Sequence, residues 1–231
     1  MKAPLSIVIP VLNEGAQMAS CLSALQGYRQ RGVRVVVVDG GSTDGSRDIA
    51  RQQADIVLLG PRGRAAQMNA GAAVCPAEAY LFLHADTRLP LNADTAIRLA
   101  LHAGRRWGRF DVRIRGRHPL LPLVARLMNL RSRVSGIATG DQALFVDHAL
   151  FMAVNGFPEL PLMEDIALCR QLRAIARPAC LRLAVQTSGR RWDRDGFLRT
   201  LGLMWSLRLA YCLGVHPARL APWYGDTRDP R

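Results

Sequence analysis

Residues 79–86 read Ala-Tyr-Leu-Phe-Leu-His-Ala-Asp, an apolar run that ends on a carboxylate. A run this short between polar residues predicts a buried strand rather than a helix. His84 and Asp86 would then lie at the carboxyl end of the strand, where open α/β sheets bind their ligands. A carboxylate at this place suits a divalent cation, because such ions prefer hard oxygen ligands. The alternative is that Asp86 caps the turn into residues 87–90.

The chain before this stretch alternates short apolar runs with helical patterns. Continuous apolar strands separated by helices predict an α/β protein with a mostly parallel sheet that is covered on both faces, as in Rossmann-like nucleotide-binding units. Ser42, Thr43 and Asp44 are suitable N-cap residues for the helix that follows the second strand. The predicted strands are 5–10, 33–38 and 56–59, and the predicted helices are 15–30, one that ends at 51 and one that begins at 63.

After Asp86 the pattern is looser. Residues 109–115 alternate between apolar and polar side chains, which predicts a strand with one wet face. The most hydrophobic long segment, 197–215, carries Arg199 and Arg208 and is therefore a poor membrane-spanning helix. It is either a packed helix or an interfacial one. The other predicted elements are helices at 92–104, 119–133, 147–154 and 163–176, and strands entered at 140–146 and spanning 181–186.

The composition is basic, and the positive charge has two possible explanations. The 231 residues carry a formal net charge of +13, and 49% of them are hydrophobic, which is enough for a core. The charge favours nucleic acid, anionic lipid or phosphorylated partners. Because Lys2 is the only lysine, however, the excess of arginine equally suits solvated side chains on an enzyme of skewed composition. Five scattered cysteines predict neither a disulfide framework nor a zinc site, and we expect a cytoplasmic protein.

Acidic residues at several predicted strand ends are the strongest chemical signal. Neither a G-x-x-x-x-G-K-[ST] phosphate loop nor a G-x-G-x-x-G after the first strand is present, which disfavours P-loop enzymes and dinucleotide oxidoreductases. Arg64 lies on a loop flanked by glycine. Carboxylates together with an arginine suit a nucleoside diphosphate bridged by a metal ion. The acidic residues are Glu14, Asp39, Asp86, Asp141, Glu164 and Asp165.

Four segments resemble, in chain order, the family 2 glycosyltransferases of GT-A fold. They are Val-Ile-Pro-Val-Leu-Asn-Glu at 8–14, Val-Val-Asp-Gly-Gly-Ser-Thr-Asp-Gly at 37–45, His-Ala-Asp at 84–86 and Met-Glu-Asp at 163–165. The resemblance covers about 5–176 and implies a three-layer α/β sandwich with a C-terminal helical extension. It also implies an inverting transfer of sugar from a nucleotide-sugar donor, UDP-linked in our interpretation, to a hydroxyl or phosphate acceptor.

The resemblance assigns a role to each matching position. Asp86 matches the last Asp of the family's Asp-x-Asp motif and would bind Mg²⁺ or Mn²⁺. Many members carry Asp at the position of His84, so one negative charge is missing here. One carboxylate with substrate phosphates still suffices for Mg²⁺. Asp165 would be the general base, with Glu164 beside it, and Asp141 is the next candidate.

Donor binding is assigned to the first half of the chain and to one late motif. Pro10, Asn13 and Glu14 would line the nucleotide pocket, Asp39 would accept from the base, and Arg64 would face the diphosphate. A weak match to Gln-x-x-Arg-Trp, spread over residues 186–192, either places arginine and tryptophan near the diphosphate or is a basic turn. The further predicted donor residues are Asp44, Asn69, Arg191 and Trp192.

We expect one domain over 1–231, with a nucleotide-binding half at 1–86, an acceptor and catalytic half at 87–192, and a C-terminal helix and tail at 193–231. The basic, apolar helices favour a lipid-linked or carotenoid-like acceptor and a peripheral position on the inner face of the cell membrane. A nucleotidyltransferase and a basic nucleic-acid-binding protein are the alternatives. The scattered arginines and 6% aromatic residues disfavour nucleic acid as a partner.

Overall fold

The computed structural model describes residues 3–225, and in this part of the chain eight strands form one sheet. Their order across the sheet is β3-β2-β1-β4-β7-β6-β8-β5. The strands are β1 (Ser6–Val11), β2 (Arg34–Asp39), β3 (Ile56–Leu59), β4 (Ala79–Phe82), β5 (Thr87–Arg88), β6 (Trp107–Arg115), β7 (Leu144–Asp147) and β8 (Ala179–Ser188).

Helices connect most of these strands, and a short 3₁₀ helix at Gly140–Gln142 precedes β7. The C-terminal part of the described chain is helical, as predicted. The helices are α1 (Gly15–Gln30), α2 (Ser46–Gln53), α3 (Arg64–Val74), α4 (Ala93–His102), α5 (Leu121–Ser135), α6 (His148–Ala153), α7 (Glu164–Ile175), α8 (Arg190–Asp195), α9 (Phe197–Cys212) and α10 (Pro217–Tyr224).

The sheet is mostly parallel, which confirms the predicted α/β class. Strands β3, β2, β1 and β4 pair in parallel in the Rossmann-like order, and β6 pairs in parallel with β8. Only β7 and β5 run against their neighbours. The carboxyl ends of β1, β2, β4, β6 and β8 therefore lie along one edge of the sheet, which we call the carboxyl edge, and β7 begins there.

Helices cover both faces of the sheet. One core packs alternate residues of β1 and β2, such as Ile7 and Val35, against α1, α2 and α4. The residues between them, such as Val8 and Val36, pack against α3, α6 and α7. A third, smaller cluster joins α9 and α10 to the start of α7. Burial on both faces explains why the strands read as continuous apolar runs.

Strand β4 ends earlier than the sequence predicted, at Phe82 instead of Asp86. The last bond between β4 and β1 runs from the N–H of Leu83 to the carbonyl of Val8. The next bond of a parallel ladder would need an N–H at residue 10, and Pro10 has none. His84 and Asp86 therefore lie in the loop beyond the strand.

The predicted N-cap of α2 is also wrong in detail, because Gly45, in the left-handed region, directly precedes the helix. The three predicted capping side chains bind other parts of the loops instead. Asp44 accepts from the N–H of Gly15 (2.7 Å) and from that of Ser46 (3.1 Å), so it joins the starts of α1 and α2. Ser42 accepts from the N–H of Asn13.

Three further elements depart from the sequence prediction. Strand β6 lies between β7 and β8, so its first half is buried on both faces, and only its second half has a wet face. The candidate basic turn at residues 190–192 is the start of helix α8, and α10 was not predicted. Residues 226–231 of the predicted tail lie outside the described residues.

Replacing Gly71 of α3 with Ala is expected to reduce stability. A Cβ there would lie 2.4 Å from Cγ1 of Val8 and 3.0 Å from Cγ2 of Val38, both buried and stiff. Gly202 of α9 is the matched control, because its Cβ would meet nothing within 4 Å. Urea unfolding should place Gly71→Ala about 1–3 kcal/mol below Gly202→Ala, which gains helix propensity without overpacking. Equal stabilities would show that the α3–sheet contact has spare room.

Candidate functional site

Loops at the carboxyl edge carry most of the predicted site residues. Pro10 is the last residue but one of β1, with Asn13 and Glu14 just beyond the strand, and Asp39 is the last residue of β2. Asp86 follows β4, and the 3₁₀ helix that contains Asp141 precedes β7. A mostly parallel sheet thus gathers residues that are far apart in the chain.

Glu14 is bound by an arginine from the other end of the chain. Its side chain is 2% exposed, and its carboxylate oxygens lie 2.8 and 2.7 Å from Nη2 of Arg190, the first residue of α8. The same nitrogen lies 3.8 Å from Oδ2 of Asp86. One guanidinium therefore contacts carboxylates from the ends of β1 and β4. A buried carboxylate needs such a partner.

His84 and Asp165 contact the 3₁₀ helix from two sides. Nδ1 of His84 lies 3.4 Å from Oδ1 of Asp141, and its ring leaves no room for a side chain at Gly140. The N–H of Gly140 donates to Oδ2 of Asp165 at 2.7 Å, and the N–H of Ile166 donates to Oδ1 at the same distance. The loop after β4 is thus connected through the 3₁₀ helix to the start of α7.

Asp165 has an unusual protonation equilibrium. Burial and the neighbouring Glu164 raise its pKa to about 6, although the N–H groups of Gly140 and Ile166 act in the opposite direction. Near neutral pH the carboxylate is mostly ionised, yet it is a stronger base than an exposed Asp. Each oxygen keeps a lone pair beyond the bond it already accepts. The arrangement can therefore receive a proton.

Positive charge balances this acidic group. Arg64, at the start of α3, lies close enough to Glu164, Asp141 and Asp165 that they raise its pKa, although its burial lowers it. Burial alone would raise the pKa of Asp141. The contact with His84 and the charges of Arg64 and Arg191 hold it below its usual range instead.

The loops after β1 and β2 bind each other tightly. Asp39 is 1% exposed, and its oxygens accept from the N–H of Ser42 (3.2 Å) and from its hydroxyl. Oδ1 of Asn13 accepts from the N–H of Thr43 at 2.9 Å. These contacts, with those of Asp44, fix the shape of the predicted nucleotide pocket.

Three predicted donor residues are engaged by contacts outside this group, although the charge of Arg191 still acts on Asp141. The side-chain amide of Asn69 makes two hydrogen bonds of 2.9 Å with the backbone of Phe157. Its nitrogen donates to the carbonyl, and its oxygen accepts from the N–H. Arg191 stacks over the ring of Tyr224 at 3.8 Å and donates to its carbonyl. Trp192 packs near Phe197 (ring centroids 5.5 Å apart) at the start of α9.

The fit of a metal ion rests on a single carboxylate. Within the described chain, no three His, Cys, Asp or Glu side chains are grouped as a metal site would need. Asp86, whose side chain is 21% exposed, has Arg190 3.8 Å from one carboxylate oxygen and accepts from the Thr87 hydroxyl at 3.4 Å with the other, and each oxygen keeps a lone pair. It fits a cation that takes its remaining ligands from substrate phosphates and water, which is usual for Mg²⁺.

The sequence analysis missed two polar residues that shape this edge. Arg190 was passed over in favour of its neighbour Arg191, because the motif spacing does not say which of two adjacent arginines turns inward. Gln67, buried in α3, donates its amide to the carbonyls of Val11 and Val38, both at 2.8 Å, and so holds β1 and β2 together at the carboxyl edge. The only indication of this role in the sequence is that Gln67 is a polar residue on the apolar face of a helix.

A cavity of about 300 Å³ lies at the opposite edge of the sheet, where β1 and β4 begin. Arginines of α4 and of the loop after it line this cavity, together with Pro4, Glu78 and Asp147. It contains no residue of the predicted site.

Comparison with known sequences finds a family model that matches the first half of the chain. Residues 6–115 match the model described as glycosyl transferase family 2. A PGL/p-HBAD biosynthesis glycosyltransferase of Mycobacterium bovis is 38% identical over 114 residues, which are 45% of this chain and 43% of the relative. Glycosyltransferase AglE of Haloferax volcanii is 47% identical over 49 residues, or 20% and 16% of the two chains. The chain spans less than half the length of these relatives.

Solved structures with the same fold extend the comparison to the rest of the chain. The mannosyltransferase PcManGT of Pyrobaculum calidifontis, in complex with GDP-Man and Mn²⁺, has a TM-score of 0.67 at 18% identity and covers all of this chain and 66% of its own. Glucosyl-3-phosphoglycerate synthase of Mycobacterium tuberculosis, with Mn²⁺ and UDP-Glc, has a TM-score of 0.65 at 20% identity over 93% and 79% of the chains. These similarities confirm the predicted GT-A fold.

The pKa of Asp165 leads to a prediction about stability. Between the unfolded pKa of about 3.9 and the folded pKa of about 6, the folded state holds a proton that the unfolded state releases. The free energy of unfolding should therefore fall by roughly 2 kcal/mol as the pH rises through this range and stay constant above it. Urea unfolding from about pH 4 to about pH 7 should show that Asp165→Asn loses this fall.

The exposed carboxylate of Asp48, 74% accessible on α2, supplies the control for that experiment. Asp48→Asn should keep the pH dependence of the wild type. An unchanged pH dependence in Asp165→Asn would mean that the Asp165 carboxyl titrates as an ordinary one.

Proposed function

We propose, because residues 6–115 match the model of glycosyl transferase family 2, that the protein is an inverting glycosyltransferase that takes sugar from a nucleotide-sugar donor. The observation that carries the proposal is the convergence of Asp86, Asp165 and arginines at the carboxyl edge of a GT-A sheet. Residues 1–86 bind the donor, and residues 87–192 supply the acceptor side. The C-terminal helical part, from residue 193, completes one domain.

The donor is a nucleoside diphosphate sugar, with uridine as the favoured base. Solved neighbours hold UDP-Glc, UDP-GlcNAc and GDP-Man, according to their descriptions. Asp39 would accept from the base in the pocket that Pro10, Asn13 and Glu14 line. Because Ser42 already engages both oxygens of Asp39, the base would use their remaining lone pairs.

Arginines suit the diphosphate. Arg191 has two buried guanidinium nitrogens, Nε and Nη1, that make no hydrogen bond within residues 3–225, and Nε lies 3.6 Å from Oδ2 of Asp195. A phosphate oxygen would satisfy such donors. Arg190 and Arg64 bring further positive charge to the same edge. A Mg²⁺ or Mn²⁺ ion on Asp86 would add positive charge opposite the departing diphosphate when it is bound.

Asp165 is the base of the proposed transfer. The acceptor hydroxyl attacks the anomeric carbon from the face opposite the leaving nucleotide, and the Asp165 carboxylate takes its proton. The raised pKa makes the carboxylate a better proton acceptor while it remains mostly ionised near neutral pH. Glu164, 6% exposed and next in the chain, sustains that pKa by its negative charge.

The acceptor is a hydroxyl or phosphate group, and we favour a lipid-linked one. In residues 3–225 no helix has the length and apolar character needed to cross a membrane. Peripheral contact with the inner face of the cell membrane would bring the protein to such an acceptor. The basic, apolar helices α5 and α9 support this position.

Replacing Asp86 with Ala is expected to abolish metal-dependent donor binding. Titration calorimetry with UDP and Mn²⁺ would measure this, because ligand affinity and metal dependence are read together. Asp48→Ala, which removes an exposed carboxylate of α2, is the matched control and should bind as the wild type does. The metal assignment fails if Asp86→Ala binds UDP with unchanged affinity and unchanged metal dependence.

Replacing Asp165 with Asn should leave UDP affinity close to that of the wild type and reduce turnover. Asn keeps the size and polarity of the side chain but cannot accept a proton near neutral pH, so we expect a rate lower by about 10²–10⁴. Nucleotide release with an identified acceptor would measure this. Glu164→Gln should lose less. Full turnover in Asp165→Asn would move the role of base to Asp141.

A further inference from the structure

A row of exposed apolar side chains runs along helix α5. Exposed leucines are ordinary when they are scattered, but contiguous apolar surface marks an interaction site. The members are spaced alternately by three and four residues, so they share one face of the helix over about 21 Å. This row, the α5 stripe, consists of Leu120, Leu123, Leu127, Leu130 and Val134, whose exposed fractions are 44%, 51%, 53%, 58% and 81%.

The chain segment that carries the stripe is basic. From Val112 to Gly140 the chain has no Asp or Glu and six arginines. Arg126 and Arg133 directly precede Leu127 and Val134 and so lie along one edge of the stripe, whereas Arg131, which follows Leu130, has its Nε and Nη2 buried in the protein. Arg133 is paired with Asp111, whereas Arg126 is exposed and makes no ion pair within the described residues. Such a face combines apolar contact with attraction to negative charge.

This charge pattern selects the partner. If two copies of the chain packed their α5 stripes together, the arginine edges would face one another and repel, because flanking charges decide whether such helices pair. An anionic lipid surface accepts both parts of the pattern. Its acyl chains take up the leucines, and its headgroups pair with the arginines.

A second acid-free segment begins at the same corner of the molecule. The ring of His118, just before α5, stacks on Phe197 at the start of α9 with 4.0 Å between centroids. From Gly196 to Gly225 the chain again has no acidic residue. Within this segment Trp205 is 68% exposed and Leu198 is 79% exposed. Tryptophan is enriched at membrane–water interfaces.

We infer that the α5 stripe is the surface by which this protein docks on anionic membranes. The helix lies in the membrane interface, with its leucines among the acyl chains and Arg126 at the headgroups. The inference does not depend on the proposed sugar transfer. Docking is measured as binding to vesicles, whereas donor binding is measured with nucleotide. Either can fail without the other.

Vesicle flotation tests the docking. Vesicles of phosphatidylcholine alone and with phosphatidylglycerol should be mixed with the full chain at low and high salt. We expect binding only to the vesicles that contain phosphatidylglycerol, and weaker binding at high salt because salt screens exposed charges. Equal binding to both kinds of vesicle, or to neither, would overturn the inference.

Two sets of variants locate the surface. Leu123→Ser with Leu127→Ser should weaken binding by at least about tenfold, because two apolar contacts are lost. Leu91→Ser with Leu99→Ser, at positions 84% and 65% exposed outside α5, should bind as the wild type does. Arg126→Gln should weaken binding about fivefold, and Arg105→Gln, outside both acid-free segments, should not.

Each variant should keep the thermal stability of the wild type and its stabilisation by UDP, which shows that folding and the donor site are unaffected. Undiminished binding of the Leu123→Ser, Leu127→Ser variant would exclude the α5 stripe. A dimer in sedimentation velocity that this variant abolishes would instead identify the stripe as an interface between two copies, and would also overturn the inference.

Discussion

A buried carboxylate must have a cationic partner, and this requirement joins the two ends of the chain. Glu14, at the start of α1, is 2% exposed, and Arg190 from the far end of β8 neutralises it. Arg190 itself is 42% exposed, so water weakens the attraction, but a carboxylate as deeply buried as that of Glu14 still requires positive charge beside it. Since Arg190 also approaches Asp86, a single contact fixes the loops after β1 and β4 relative to the end of β8. The chemistry of the carboxyl edge depends on that arrangement.

Much of the fold follows from the sequence because its signals are local. Apolar runs with helices between them predict the parallel half, and the strand ends locate Glu14, Asp39 and the loop that carries Asp86. The antiparallel position of β7 does not follow, because a short apolar run reads the same in either direction. The early end of β4 depends on Pro10, which lies some 70 residues before it, so only the strand pairing reveals the effect.

The sequence did not reveal the partners of the site residues either, because these partners are distant in the chain. No local pattern couples Glu14 to Arg190, which lies 176 residues away. Asn69 was among the predicted donor residues, yet its amide is committed to the backbone of Phe157. The composition was also a poor guide. The arginine excess is concentrated in two acid-free segments, while other arginines compensate carboxylates at the carboxyl edge.

The strand order has a consequence for how the chain folds. Strands β1 to β4 can pair as soon as residue 82 has left the ribosome, since each lies beside another of this group. The second edge of β4, however, is covered by β7, which begins at residue 144, and the sheet is complete only after β8. During synthesis the N–H and C=O groups on that edge, beside Tyr80 and Phe82, are open to other chains. Pairing with β7 removes this edge, so we expect association between nascent chains to compete with folding until β7 has been synthesised.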